Sequence, residues 1–375
     1  MVVQKLLNPT VFHKSSSRCL NTISSFPTFK YVDQLSGYLA KNFILHEPGK
    51  FVIIPKPYGI SCVGEMQPSG GVFKSGRFDE KDENFKMSKR KSEKDISITD
   101  CLPNLQHYFR EPRLEFCVGL KRYLSGAIVL PCNEKESSRL VNSVKFASLQ
   151  RSEDDTHYRV IAVLMGNLGK NEGSVSGYST FLPMGSHKEY TFIEGKASKR
   201  AKSGKFAVEG SLSYKVLSRK YGCTLVEFGV NKFSRHLPRL IFSHLQCPIL
   251  GDKLYASRLA DIDGKPVNVN RSKQNRNIKL WCPAALSQKL EMNPDLLRQS
   301  IPLYCHVYST VFPRYGWVPG LSKDQQDVTD LVASVPPPDH FLSMVRSLDM
   351  ETDLMKFFRE NEDLASPEVG RDLSF

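Results

Sequence analysis

The chain has 375 residues, 52 of them Lys or Arg against 39 Asp or Glu, which gives a formal charge of +13 and a pI near 9.2; such a surplus points to a polyanionic partner. Its 40% hydrophobic and 10% aromatic residues exclude a wholly disordered protein, and no run approaches the roughly 20 apolar residues that span a bilayer, so no membrane insertion is expected. Nine cysteines, odd in number, scattered and never spaced CxxC, read as reduced thiols, with neither a metal site nor a disulfide scaffold expected.

Residues 1–32 hold no Asp or Glu but carry Lys5, Lys14, Arg18 and Lys30 among Ser, Thr and scattered apolar residues. This is how a transit peptide to the mitochondrial matrix reads, a basic tail being the plain alternative. The first folded signal is the β-prone run Lys50 to Ile54, closed by the turn Pro55-Lys56-Pro57-Tyr58-Gly59. Lys74 to Asp95 is crowded with charges of both signs, and residues from about 65 to about 98 read as a disordered insertion. Leu114 to Asn133 reads as strand, turn, strand, with Ser125-Gly126 as the punctuation, and Glu134 to Phe146 as a helix.

Tyr158 to Leu164, Glu189 to Ile193, Ser213 to Leu217 and Leu225 to Val230 are further β-rich runs. Lys196, Lys199, Arg200, Lys202 and Lys205 cluster in a loop between two of them, where basic side chains can neutralise phosphates or simply be solvated. His236 to Leu245 has helical spacing and is stopped by Cys247-Pro248-Ile249-Leu250-Gly251-Asp252. Phe341, Met344, Val345 and Leu348 mark one more amphipathic helix. Residues 349–375 turn acidic and read as a solvated tail that could also shield the basic face. The sum is an α+β protein with a large, mostly antiparallel sheet.

Four blocks, in order, resemble the RluA-like RNA pseudouridine synthases, and they span about residues 45–345. Phe51 to Ile60 looks like the family's opening strand with Lys-Pro-x-Gly, and Val118-Gly119-Leu120-Lys121-Arg122-Tyr123-Leu124-Ser125-Gly126 falls where the family writes HRLDRxTSG. His236-Leu237-Pro238-Arg239 with Pro248-Ile249-Leu250-Gly251-Asp252-Lys253-Leu254-Tyr255 is similar to HQIRxH followed by PIxGDxxY. Pro302 to His306 and Pro336 to Phe341 look like the closing segments. Joined to the leader-like N-terminus, the blocks resemble the mitochondrial members found in animals. The resemblance implies a pseudouridine synthase fold, its mixed and mostly antiparallel sheet flanked by helices. It also implies an RNA partner, no cofactor and a monomer.

Turning uridine into pseudouridine breaks the C1′–N1 bond and rejoins the base through C5. The resemblance implies a carboxylate beside the sugar, an aromatic ring against the flipped base and a basic residue that keeps the carboxylate ionised. At the aspartate position stands Lys121, flanked as in the family by Leu120 and Arg122. A cation there has no lone pair and opposes an oxocarbenium-like centre. Tyr158 matches the aromatic position, while His236 and Arg239 survive in a block that otherwise departs from the pattern.

Two readings follow. In one, an RNA-binding protein has weak or absent catalysis and serves mitochondrial mRNA, rRNA or tRNA, with mitochondrial ribosome or RNA granule proteins as further partners. In the other, an active synthase uses a relocated acid, Asp154 or Asp155 being the nearest. The expected site is therefore Lys121 and Tyr158 at the catalytic position, with Arg122, His236, Arg239 and the Lys196 to Lys205 cluster on RNA.

Overall fold

The strand β2 (Phe51–Lys56) shows how the apolar runs are used. Val52 and Ile54 point to one side of the sheet and Phe51 and Ile53 to the other, and all four are buried. A strand read as continuous hydrophobic sequence is one covered on both faces. The computed structural model describes residues 26–63, 96–149, 156–184, 187–203, 206–269, 279–295, 297, 301–316 and 329–361.

In chain order the other elements are α1 (Val32–Lys41) and β1 (Leu45–Glu47) before β2, then α2 (Ile98–Phe109), β3 (Ser125–Pro131), α3 (Glu134–Leu149) and β4 (Tyr158–Met165). There follow β5 (Glu172–Met184), β6 (His187–Glu194), α4 (Lys199–Ser203), β7 (Ala207–Lys220), β8 (Cys223–Val230) and α5 (Leu237–His244). The chain ends with β9 (Leu259–Ile262), β10 (Lys265–Asn268), α6 (Ala284–Leu290), β11 (Cys305–Phe312), β12 (Leu331–Ser334), α7 (Asp339–Ser347) and α8 (Glu351–Glu360).

Ten strands form one sheet in the order β1-β2-β3-β11-β4-β8-β7-β5-β6, with β12 also on β11; β9 and β10 form a separate hairpin. Every pairing in the large sheet is antiparallel except β3 with β11. This is the α+β architecture with a mixed, mostly antiparallel sheet that the sequence predicts. No helix among the described residues is long and apolar enough to cross a membrane.

Helices cover both faces. Val160, Ala162 and Leu164 of β4 pack with Leu237, Leu240 and Ile241 of α5, and the alternate residues Ile161, Val163 and Met165 pack with α6, α7 and α8. At the other end of the sheet α1 and α2 meet Val52, Ile54, Ile128 and Leu130, while α3 lies on the face of Phe51, Ile53 and Val129.

Several expectations are corrected. Leu114 to Leu124 is not a strand: its backbone bonds the neighbouring chain only at single points, such as Glu115 N to Pro131 O, while Leu114, Phe116 and Leu120 are buried. Apolar content there marks a buried crossing segment rather than a ladder. Ser125-Gly126 opens β3 instead of preceding it, because β3 must approach β11 closely: a Cβ on Gly126 would lie 2.7 Å from the Val307 carbonyl oxygen.

Near the expected end of the insertion, at about residue 98, the chain is already held in place. Ser97 caps α2 in a reciprocal capping box with Asp100, which satisfies the first orphan amides; residues 64–95 lie outside the described residues. At the N-terminus, residues 1–25 likewise lie outside, but Phe26 already stacks edge-on against Tyr58 at 4.8 Å, and Val32 begins α1. The acidic tail is in part a folded helix. Residues 351–360 form α8, with Leu354 and Phe357 in the core and the Phe357 and Phe358 rings 5.9 and 5.5 Å from Tyr308.

Candidate functional site

The segment from Lys121 to Leu124 is held in place by the turn that ends β2. Lys56, 1% exposed, donates from Nζ to the carbonyl oxygens of Leu124 (2.6 Å), Pro57 (3.1 Å) and Arg122 (3.4 Å). Gly59 N donates to Arg122 O at 3.0 Å and Arg122 Nε returns to Gly59 O at 2.9 Å. Burial lowers the Lys56 ammonium to about 8, and the three carbonyl partners replace the water it gives up. Two of the four sequence blocks therefore make one rigid piece, from which Lys121 projects half-buried.

Next to that piece stands the N-terminus of α5. His236 is buried and its Nδ1 lies 2.9 Å from the Tyr255 hydroxyl. Its imidazole is held well below the ordinary range, first by burial and then by Arg239, Lys121 and Arg258, so it is neutral and Lys121 is within electrostatic reach of it. Tyr123, Tyr190 and Tyr255 surround it, with ring centroids 5.9, 5.8 and 5.8 Å away.

One turn into α5, Arg239 is buried between the rings of Tyr123 (4.8 Å) and Tyr255 (5.1 Å). It grips Asp252 with both arms, Nε to Oδ2 at 2.9 Å and Nη2 to Oδ1 at 2.8 Å. Asp252 Oδ1 also accepts the backbone amides of Leu254 (3.0 Å) and Tyr255 (2.9 Å). Four donors and no exposure leave this carboxylate no face to offer a substrate. Arg258, 4.6 Å from the Tyr255 ring, is paired with Glu189 of β6 at 3.0 Å.

Tyr158 opens β4 with its ring buried against Phe233 (5.0 Å) and His157 (4.0 Å), and burial pushes its hydroxyl up. It lines a narrow crevice with Leu120 and Phe312. Leu120, Tyr123, Tyr158, Phe233, Leu237 and Tyr255 belong to one core cluster. The fold thus gathers the segments bearing Lys121, Arg122, Tyr158, His236 and Arg239.

The basic cluster sits on a separate, exposed element. Lys196 precedes the short exposed helix α4, which carries Lys199, Arg200 and Lys202 and replaces the expected loop; Lys202 pairs with Glu209 at 2.7 Å. Lys205 lies outside the described residues, as do Asp154 and Asp155. Arg122, half-buried, donates from Nε to the Gly59 carbonyl oxygen and so steadies the segment.

Sequence reasoning passed over Lys56, Tyr123, Asp252 and Tyr255 as site residues, although each sits inside a quoted block. Tyr190 carried no signal, since it arrives from a strand more than 40 positions away from His236. Chemically the arrangement is a buried, aromatic and cationic cluster. Among the described residues its carboxylates, Asp252 and Glu189, are both engaged by arginines.

No protein-family model matches the chain, and no curated protein matches it in sequence. Its fold matches the solved structure of human RNA pseudouridylate synthase domain containing 4, with a TM-score of 0.55 and 18% identity, over 85% of this chain and 97% of that one. A looser likeness, to human RNA pseudouridylate synthase domain containing 1, has a TM-score of 0.43 and 13% identity over 79% of this chain and 83% of that one. The chain has the fold of an RNA pseudouridylate synthase domain.

Proposed function

We propose that this protein is an RNA-binding member of the RluA-like pseudouridine synthases in which uridine isomerisation is the ancestral activity and the catalytic step is lost or weak. The observation that carries this reading is the fate of the site's charges. A lysine occupies the position where the resemblance places the nucleophilic aspartate, and the buried acid nearby, Asp252, is closed off by Arg239 and two backbone amides. Oxocarbenium-like chemistry needs an accessible negative charge beside the sugar; a cationic, aromatic site instead suits phosphates and unstacked bases. The net charge of +13 agrees with an RNA partner, and the neighbouring human protein is named for its pseudouridylate synthase domain.

The compartment and partners are part of the same proposal. The acid-free N-terminal segment supports import into the mitochondrial matrix, where the chain would act as a monomer on mitochondrial mRNA, rRNA or tRNA, beside ribosome or RNA granule proteins.

Two measurements test it. Pseudouridine is mapped across mitochondrial RNA in cells lacking the protein and in cells rescued with it; an unchanged map is expected. Sites that vanish and return, together with product formed by the purified protein, would make it an active synthase. Affinity of the purified protein for single-stranded RNA is measured against salt, where a steep fall is expected and a flat response would remove the RNA-binding claim.

A further inference from the structure

Two consecutive residues that are not glycine, Arg235 and His236, hold left-handed backbone, with φ of 50° and 56°. Each such residue is strained, and strain of this kind persists where the surroundings enforce it. Its result here is to send the two side chains in opposite directions. His236 turns inward to Tyr255. Arg235 turns outward, with its guanidinium 5.2 Å from the ring of Phe181 and Nη1 donating to the Phe206 carbonyl at 2.8 Å.

Phe206 is the second feature. The residue is 63% exposed although its carbonyl is fixed by both Arg235 and Thr180 Oγ1 (3.1 Å), so a large apolar residue is displayed on anchored backbone. Phe181, 36% exposed, lies directly across from Tyr190 in the β5–β6 ladder with ring centroids 4.2 Å apart and planes inclined by 31°. Tyr190 in turn reaches His236. Flat groups therefore run from the buried cluster to the surface: His236, Tyr190, Phe181, Arg235.

The surroundings are basic. Lys196, Lys199 and Arg200 are exposed just upstream of Phe206, and the nearby acids Glu194 and Glu209 are engaged by His244 and Lys202. Exposed rings interleaved with cations differ from the continuous apolar patch of a protein–protein interface. They match the parts of a single-strand site, where bases stack on aromatic and guanidinium faces while lysines track phosphates.

We propose that Arg235, backed by Phe181, and Phe206 form a stacking platform for unpaired bases of a single-stranded RNA whose backbone runs along α4. The proposal rests on the RNA-binding reading above and extends it to residues outside the four sequence blocks.

The test uses the full chain and a fluorescein-labelled oligouridylate of about 12 nucleotides, within the span such sites cover. Phe206→Ala and Arg235→Lys should each weaken binding roughly 5- to 150-fold, the worth of one base stack, with the salt slope unchanged because no charge is lost. Lys199→Gln with Arg200→Gln should instead flatten the slope, by roughly 0.7 for each phosphate contact removed. The site of substitution is exposed in Phe206→Ala, and its near-ultraviolet circular dichroism should match that of the unaltered protein. Variants that bind as tightly as the unaltered chain would overturn the platform while leaving RNA binding intact. So would an equal loss on a duplex probe, or a dimer in sedimentation that Phe206→Ala dissolves. No binding by the unaltered chain would overturn both.

Discussion

Arg239 and Asp252 form a bidentate ion pair, at 2.9 and 2.8 Å, with side-chain exposures of 1% and 0%. A pair so enclosed has lost its hydration, and its attraction mainly repays that cost. Removing one partner strands a buried charge, so Asp252→Ala should destabilise the protein by about 3–5 kcal/mol. The double replacement Arg239→Met with Asp252→Leu should lose far less, since neither charge remains. Urea midpoints of the three proteins decide the matter, and equal losses for single and double replacement would contradict a desolvated pair.

Lys121 acts on His236 through space, as one of three cations that depress its imidazole after burial. Replacing the lysine should therefore raise the histidine. Lys121→Gln removes one opposing charge, and Lys121→Asp supplies an attractive one, so the rise should be larger with Asp. Burial, the leading cause, remains in both. NMR titration of histidine-labelled protein reads the shift, and an unmoved resonance would place Lys121 out of reach. The same Asp variant should gain detectable conversion of uridine in a single-turnover assay while the Gln variant does not. A folded Asp variant without product would mean that the surroundings of Tyr158 no longer admit a base.

Much of the central sheet is legible because buried strands spell continuous apolar runs, as Phe51 to Ile54 and Tyr158 to Leu164 do. The same rule misreads Leu114 to Leu124, since burial, and not β structure, is what apolar content reports. Strand β5 escapes it for the opposite reason: rich in Gly, Ser and Thr, Glu172–Met184 is assembled by its neighbours β6 and β7. At the site, blocks identify the segments but not the partnerships. Nothing in the His236 and Gly251-Asp252 blocks says that Arg239 spends itself on Asp252, or that Tyr190 joins them, because those contacts are made only when the segment after α5 folds back on it and β6 packs against it.

Residues 349–375 show how charge can mask periodicity. Met350, Leu354 and Phe357 stand at i, i+4 and i+7 amid acids, and all three are buried. Asp349 locks the entry to this helix, its carboxylate accepting from Tyr221 Oη and from Lys289 Nζ at 2.7 Å. Truncation after Leu348 should uncover Tyr308 and cost about 4.5–9 kcal/mol, at roughly 1.5–3 kcal/mol for each of the three large apolar side chains lost. Thermal unfolding of the truncated chain checks this, and an unchanged midpoint would return the segment to the solvated tail its composition suggests.

Besides His236, three buried histidines make stability fall in acid. His157 donates from Nδ1 to the Val311 carbonyl, His306 donates from Nε2 to Val335 O (3.1 Å) while its Nδ1 lies 2.9 Å from Ser125 Oγ, and His340 packs among Phe26, Tyr58 and Tyr304. Burial holds them at about 4, about 3 and about 4 respectively. The unfolded chain binds these protons near pH 6.5 and the native chain far lower, so the contribution is whole above about pH 6.5 and is lost as pH falls toward 4 and 3. Between about pH 7.5 and about pH 5 each should cost roughly 2 kcal/mol. His340→Phe keeps a ring among its aromatic neighbours and removes the proton site, so its urea midpoint should depend less steeply on pH than that of the unaltered protein. Parallel pH profiles for the two would mean that His340 titrates alike in the native and the unfolded chain.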